Sequence, residues 1–295
     1  MQEQGKLNSE AGSEGQTPRT VVREAKLRLR EAGVPEPRAS AEILMSELVG
    51  RNRGELTLLS EPLSSDRAAL YEGWVLRREM REPVQRILGY AYFRNLKLKL
   101  SSETLIPRAD TESVVDAALE ALDWRGGGRV LDLGTGSGAI AISIADERPE
   151  CEVHGADISE GALRVSRENA ARAGRCIRFH QADLTAGLRG LESRVEVFVS
   201  NPPYVSTATL EALEPEVRSW DPRRALDGGA DGLEFYRRIF EDCPPLLAPG
   251  ADLVLEVGDG QADTVLELGG AAGYEPLGTR RDLAGNVRVA LLRCA

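Results

Sequence analysis

A chain of 295 residues that is 42% hydrophobic is long enough for one large or two modest domains with a real core. Its 37 Lys and Arg against 47 Asp and Glu give a formal net charge of −10. That excess argues against extensive binding to a nucleic-acid backbone, which draws its affinity from many cationic contacts to phosphate, and leaves room only for a compact basic patch. The four cysteines, Cys151, Cys176, Cys243 and Cys294, form no CxxC pair and have no neighbouring His to complete a zinc site. They read as reduced packing cysteines. His154 and His180 are the only histidines, each at or near a predicted strand, so a structural role is expected and His-based acid/base or triad chemistry loses its support.

Residues 1–17 are polar, without the basic start and apolar run of a signal peptide, and read as a disordered tail. No apolar stretch approaches the ~18 residues needed to span a bilayer. A cytoplasmic protein with no membrane association, acting as a monomer, is expected. From 18 to 89 the pattern is helical. Val21, Val22, Ala25, Leu29 and Ala32 recur at helical spacing before Gly33 and the prolines at 35 and 37; Ala41, Ile43, Leu44, Leu48 and Val49 follow. Ser64, Ser65 and Asp66 offer an N-cap to a third helix carrying Leu70, Trp74, Val75 and Leu76. This small bundle holds 13 basic and 11 acidic residues, whereas everything from Tyr90 onward holds 23 basic and 33 acidic. A near-neutral, Arg-rich helical domain therefore precedes a strongly acidic body.

Residues 90–104 are read as a linker, in which Tyr90 to Leu100 alternates like a β-hairpin with Arg94 and Asn95 at its turn. A second domain is expected over 105–295. Strands are predicted at Arg129–Leu133, Glu152–Ala156, Cys176–Gln181, Val195–Ser200 and Ala251–Val257, with a terminal pair around Tyr274 and Val287–Leu292. Helices are predicted at Gly138–Asp146, Ser159–Ala173 and Gly232–Leu247 and from Gln261. Alternation of this kind implies a parallel sheet covered on both faces.

Two motifs carry chemistry. Val130-Leu131-Asp132-Leu133 runs into Gly134-Thr135-Gly136-Ser137-Gly138, a strand opening into a helix through glycines, where the backbone must turn tightly and let a ligand approach. About 20 residues later the next strand ends at Asp157, an acid placed to accept both hydroxyls of an adenosine ribose. Gly134, Gly136 and Ala139 fit a dinucleotide fingerprint, and Gly134, Gly136 and Gly138 fit the looser GxGxG of methyltransferases, so the loop alone leaves the nucleoside undecided. The second motif, Asn201-Pro202-Pro203-Tyr204, follows the strand ending at Ser200. Proline stiffens the residue before it and removes N–H groups, leaving carbonyls free. The Asn201 side-chain oxygen and the Pro202 carbonyl could then hold the two hydrogens of an –NH2 group while Tyr204 packs on its planar face. Such a clamp suits methylation of a planar amide or amino nitrogen, where in-line positioning supplies on the order of 7–11 kcal/mol in favourable cases and no metal or histidine is needed.

These motifs, with Glu82-Pro83-Val84-Gln85, Leu105-Ile106-Pro107-Arg108 and Asp110-Thr111-Glu112, Ala225-Leu226-Asp227-Gly228-Gly229, Glu256-Val257-Gly258 and Gln261, resemble the HemK/PrmC family of protein-glutamine methyltransferases. The resemblance runs from about Thr20 to Leu292. It implies a Rossmann-like S-adenosylmethionine-dependent α/β domain, with a mostly parallel seven-stranded sheet and helices on both faces, behind an N-terminal helical bundle that docks substrate. It implies methylation of the glutamine in the Gly-Gly-Gln motif of class I peptide chain release factors, with S-adenosylhomocysteine as product. On it, Gly134, Thr135, Gly136, Ser137, Gly138 and Asp157 bind the cofactor, together with Asp183, Leu184 and Asn201. Leu184 stands where the family often carries an aromatic residue beside the adenine, and can cover the ring only by apolar contact. Asn201, Pro202, Pro203 and Tyr204 hold the glutamine. Arg108 and Glu112 fall in a family segment near the active site, or equally form the first turn of a helix with a surface ion pair.

The alternative is an amino-group methyltransferase acting on a ribosomal-protein glutamine or on adenine or guanine in nucleic acid. For nucleic acid a basic face or an added recognition domain is expected, and the acidic body disfavours it. An NAD-dependent oxidoreductase leaves Asn201 to Tyr204 unexplained.

Overall fold

The computed structural model describes residues 17–294. The chain forms two compact units divided between Leu88 and Gly89. The proposed tail lies outside the described residues except for Thr17, whose hydroxyl caps the first helix by accepting the Thr20 N–H.

The first unit contains α1 (Pro18–Glu31), α2 (Pro37–Val49), α3 (Ser65–Glu79) and the short α4 (Val84–Leu88). Proline opens α1 and α2, where its missing N–H costs nothing, and Ser64 caps α3. The apolar faces meet in a core of Leu29, Leu44, Met45, Tyr71 and Val75. The one polar atom Tyr71 brings inside is satisfied, its hydroxyl donating to the Ala41 carbonyl at 3.0 Å. Arg28 joins α1 to α3 through Glu72 and Glu79.

The second unit opens on a hairpin, β1 (Tyr90–Phe93) and β2 (Leu96–Lys99), with Arg94 in the left-handed region at its turn. It continues through α5 (Glu112–Arg125), β3 (Arg129–Leu133), α6 (Ala139–Glu147), β4 (Glu152–Asp157), α7 (Glu160–Ala173), β5 (Arg178–Gln181), β6 (Val195–Ser200), α8 (Pro215–Arg218), α9 (Glu234–Asp242), β7 (Leu247–Glu256), α10 (Ala262–Ala271), β8 (Glu275–Arg281) and β9 (Val287–Arg293). The seven-stranded sheet has the order β5-β4-β3-β6-β7-β9-β8; the first five strands run parallel, and β9 is antiparallel to both its neighbours. Residues alternate between its faces. Leu131, Phe198, Leu253 and Leu255 pack with Tyr236 and Ile239 of α9, while Val130, Val197, Val199 and Val254 pack with Val114, Leu122 and Ile140 of α5 and α6. Apolar residues at successive positions are what a sheet buried on both sides requires. The chain order reverses between β3 and β6, so the crevice beyond their carboxyl ends is where a ligand site belongs.

Some elements differ from the sequence reading. The helix expected over Gly232–Leu247 stops at Asp242, because Pro244 and Pro245 lack the N–H groups to continue it, and β7 starts at Leu247 rather than Ala251. The strand expected from Cys176 starts at Arg178, and Cys176 is exposed. The turns between Leu210 and Ala225 are elements that the sequence pattern does not announce, and α5 is foreshadowed only by the reading of Glu112 in the first turn of a helix. All four cysteines are free. His154 and His180 stack across β4 and β5, Nδ1 to Nε2 at 2.8 Å, and burial depresses the basicity of both rings.

Candidate active site

A cavity of about 350 Å³ opens at the carboxyl ends of β3, β4 and β6. Its floor is the glycine loop. Gly134, Gly136 and Gly138 have φ of +75°, +56° and +85°, a region that L side chains enter only with strain. The Gly134 and Thr135 N–H groups both donate to the Ala156 carbonyl, at 2.8 and 2.9 Å, which ties the loop to β4. The three glycines do different work. Gly134 and Gly136 line the cavity, whereas Gly138 lets α6 pack closely: a Cβ there would lie 2.8 Å from Ile142 and 3.1 Å from Ser166.

Beneath the loop, Asp132 is fully buried and its Oδ2 accepts hydrogen bonds from Thr135 Oγ1 (2.7 Å) and the Ala141 N–H (3.1 Å), joining loop and helix. Burial pushes its carboxyl up to about 7, and Oδ1 has no partner. A carboxyl raised from 3.8 in the native state stabilises the fold below that ordinary value and loses this contribution as pH rises through about 7. Asp132→Asn, neutral at every pH, is therefore expected to melt above the wild type at pH 8 by an amount worth on the order of 2–4 kcal/mol, at ~1.4 kcal/mol for each tenfold change in proton affinity, and to converge with it at pH 4. Thermal denaturation at the two pH values checks this; parallel curves would refute it.

Asp157 ends β4. Its Oδ2 accepts the Gly136 N–H and its Oδ1 the Ser159 N–H, both at 2.9 Å, so the carboxylate braces the glycine loop against the N-terminus of α7. Burial raises this carboxyl above the ordinary value, and the backbone N–H groups of Ser159, Gly136 and Ile158 oppose the rise. Each oxygen keeps a lone pair for a ligand. Asp183 and Leu184 also line the cavity. Leu184 is buried with φ +50°, and with Ile158 and Ala182 it forms an apolar strip beside Asp157; Asp183 pairs with Arg238 at 2.8 Å.

Opposite, Ser200 Oγ donates to the Leu133 carbonyl at 2.8 Å and sets the exit of β6 beside the loop. Asn201, Pro202 and Pro203 face the cavity. Asn201 Nδ2 donates to Thr111 Oγ1 at 3.3 Å, so the amide turns its NH2 to the wall and leaves its oxygen for a ligand. Tyr204 is not in the lining. Its ring stands close to Gly258, and its hydroxyl donates to Glu256 Oε1 at 3.4 Å. The segment from 225 to 232 lies flat on this backbone: a Cβ on Gly228 would be 2.7 Å from the Pro203 carbonyl, and one on Gly232 would be 2.4 Å from that of Tyr204. Gln261 completes the clasp by donating to the Tyr204 carbonyl at 3.0 Å.

Arg108 and Glu112 separate. Arg108 lines the cavity and pairs with the buried Asp221 at 2.5 Å, while Glu112 accepts the Arg94 N–H at the hairpin turn at 3.0 Å. At the rim Arg224 pairs with Glu103 and donates to Ser159 Oγ at 3.2 Å. Phe235 and Arg224 belong to this site although nothing local in the sequence assigns them to it, and Leu105 and Thr111 join it from segments marked only by the family resemblance. The parts fit a nucleoside-bearing ligand: a carboxylate with free lone pairs, a floor of glycines and an apolar strip. Among the described residues no group of three or more His, Cys, Asp or Glu side chains is placed to hold a metal ion.

A mostly parallel seven-stranded sheet with this loop, this spaced acid and this Asn-Pro-Pro-Tyr segment at its switch point defines a Rossmann-like methyltransferase. The family models for the PrmC N-terminal domain and the methyltransferase small domain match residues 20–89 and 110–214. The release factor glutamine methyltransferases of Rhodospirillum rubrum and Geobacter sulfurreducens are 44% and 42% identical to this chain. The alignments cover 90% and 88% of it and 82% and 91% of theirs, and the chain belongs to the release factor glutamine methyltransferase family. A solved release factor-specific protein-(glutamine-N5) methyltransferase from Alicyclobacillus acidocaldarius is 32% identical, with a TM-score of 0.39 over 64% of this chain and 94% of that one.

Proposed function

We propose that this chain uses S-adenosylmethionine to methylate the side-chain amide nitrogen of the glutamine in the Gly-Gly-Gln motif of class I peptide chain release factors, in the cytoplasm where they act, releasing S-adenosylhomocysteine. The observation that carries the reading is the Asn201 amide, pinned through its nitrogen to Thr111 so that an acceptor oxygen faces a cavity floored by the glycine loop. The family's printed activity supplies the target.

When bound, the cofactor supplies a methyl group already activated by its sulfonium. The protein's part is placement. Asp157 accepts the ribose hydroxyls with its remaining lone pairs, Gly134 and Gly136 let the ligand approach the backbone, and Leu184 and Ile158 cover the adenine. Asn201 Oδ1 and the Pro202 carbonyl accept the two N–H groups of the glutamine amide, fixing its nitrogen in line and taking up the positive charge that grows on those hydrogens. Tyr204 supports this clamp from behind, through Glu256. Arg108, braced by Asp221, stands at the wall where a peptide carbonyl of the substrate can meet it. An exocyclic amine of adenine or guanine satisfies the same two acceptors, but the acidic surplus of the body disfavours a nucleic-acid backbone.

Purified protein with methyl-labelled S-adenosylmethionine is expected to label a class I release factor at the Gly-Gly-Gln glutamine and to leave a Gln→Ala substrate unlabelled. Label on RNA, DNA or a ribosomal protein with none on release factor would overturn the assignment.

A further inference from the structure

Two charged side chains meet at the mouth of the cavity. Glu103 comes from the turn that follows the hairpin, and Arg224 from the single turn Arg223–Ala225 that precedes the Gly228 segment. Both line the cavity, yet their side chains are 41% and 49% exposed, so each has one side toward the cavity and the other toward solvent. Arg224 Nη2 pairs with Glu103 Oε2, and Ser159 joins the two: its hydroxyl donates to Glu103 Oε2 at 3.0 Å and accepts from Arg224 Nη2 at 3.2 Å. Segments 121 residues apart in the chain are thereby closed on one another.

The anchor of this bridge is firm. Ser159 is buried, caps α7 by accepting the Ala162 N–H at 3.1 Å, and gives its own N–H to Asp157 Oδ1 at 2.9 Å. With one proton given and two accepted, its hydroxyl is used to capacity. The bridge is thus seated directly beside the carboxylate assigned to the ribose. Gly161 makes room for it: the Glu103 stem lies flat on this glycine, and a Cβ there would be 2.7 Å from Glu103 Cγ and 3.2 Å from its Cβ. The ion pair itself stands in water, where such a pair favours a closed arrangement over an open one by no more than about fivefold. A contact of that strength opens and recloses readily, which suits a passage used twice in every turnover.

We propose that Glu103 and Arg224, seated on Ser159, form a strap across the mouth of the cavity beside Asp157, and that this strap opens to admit S-adenosylmethionine and to release S-adenosylhomocysteine. This deepens the reading of the cavity as the cofactor site and rests on it. The strap is made of bonds between protein groups, so what it slows is passage. Its loss speeds entry and exit by the same factor and leaves affinity nearly unchanged, whereas loss of a residue that held the ligand would speed exit alone and weaken affinity in step. Salt acts in the same direction as loss of the strap, because an exposed pair is screened.

The full chain is loaded with labelled S-adenosylhomocysteine and chased with unlabelled ligand, and kon, koff and Kd are compared among wild type, Glu103→Gln, Arg224→Gln, Gly161→Ala and the charge swap that combines Glu103→Arg with Arg224→Glu. Each Gln variant is expected to raise kon and koff together by roughly fivefold, with Kd held within about twofold. Gly161→Ala keeps both charges at a helical position that favours alanine, but its methyl pushes the Glu103 stem aside, so exchange should quicken in the same way. The swap restores opposite charges and should return both rates to within about twofold of wild type. Raising the salt from about 0.05 to about 0.5 M should speed exchange in the wild type and not in the Gln variants. Wild-type rates in both Gln variants would overturn the inference, and so would a rise in koff alone with Kd rising in step. Should one Gln variant fail to fold, the other decides by the same readouts. A wild type that binds no S-adenosylhomocysteine would instead sink the reading of the cavity as the cofactor site, and the strap with it.

Discussion

Asn201→Ala lowers turnover of release factor by roughly 10²–10³, the usual loss for one preorganised group facing developing charge, and leaves cofactor affinity within a few-fold. The side-chain oxygen is an acceptor that no neighbour replaces, since Pro202 and Pro203 line the cavity without a polar side chain and Tyr204 lies outside the lining. The substrate amide nitrogen is a poor nucleophile, and its hydrogens become more acidic as the new bond forms, so the acceptor binds more tightly in the transition state than in the ground state. The loss should therefore fall on kcat rather than on KM. Folding is not at stake. Asn201 is only partly buried and makes one long side-chain hydrogen bond, at 3.3 Å to Thr111, worth about 1 kcal/mol at most. Steady-state kinetics with release factor, beside calorimetric titration of S-adenosylhomocysteine, separate the two terms. Turnover within threefold of wild type would remove Asn201 from the clamp.

The parts of this molecule that are readable from sequence are those whose cause is local. Leu131 and Leu133 run straight into Gly134 because strand, turn and helix cap are neighbours in the chain, and Asp157 is readable because the next strand returns it to the same end of the sheet. α5 escapes the pattern because Val114, Val115, Ala117, Ala118, Leu119 and Leu122 are all buried, which blurs the stripe that marks a surface helix. The segment from 205 to 232 has no periodicity at all. It is shaped by contact with the Pro203 and Tyr204 backbone, and Gly228 and Gly232 stand where a Cβ would strike that backbone. Tyr204 is expected from sequence against the substrate amide. The structure aims its hydroxyl at Glu256, 52 residues away in sequence, and Thr111 meets Asn201 across 90 residues. Spacing cannot record such meetings. The triplets Asp110-Thr111-Glu112 and Glu256-Val257-Gly258 stand out in the sequence, but only the fold shows that one meets Asn201 and the other Tyr204, at the two ends of the same segment.

Asp157→Ala raises the dissociation constant for S-adenosylhomocysteine by roughly 100-fold, which is about 2.7 kcal/mol. Two losses combine. The ribose hydroxyls lose their charged acceptor, and the Gly136 and Ser159 N–H groups lose the oxygens that hold them at 2.9 Å, so the floor of the cavity is released from the start of α7 at the same stroke. The second loss separates Asp157 from a residue that merely touches the ligand. Asp157→Asn keeps one acceptor oxygen but aims an NH2 at a backbone N–H that needs an acceptor, so it should fall much nearer to Ala than to wild type. Burial already raises this carboxyl above the ordinary Asp range, so affinity should also weaken as pH falls toward that raised value and the acceptor is protonated. Ligand-induced stabilisation reads the effect directly. At a concentration roughly 100 times the wild-type dissociation constant the ligand adds about 2.7 kcal/mol to the wild type, and a variant whose constant equals that concentration gains only about 0.4 kcal/mol. Asn201→Ala melted beside it should keep nearly the whole shift. An Asp157→Ala protein stabilised as strongly as Asn201→Ala would mean that the carboxylate braces the loop without holding the ligand.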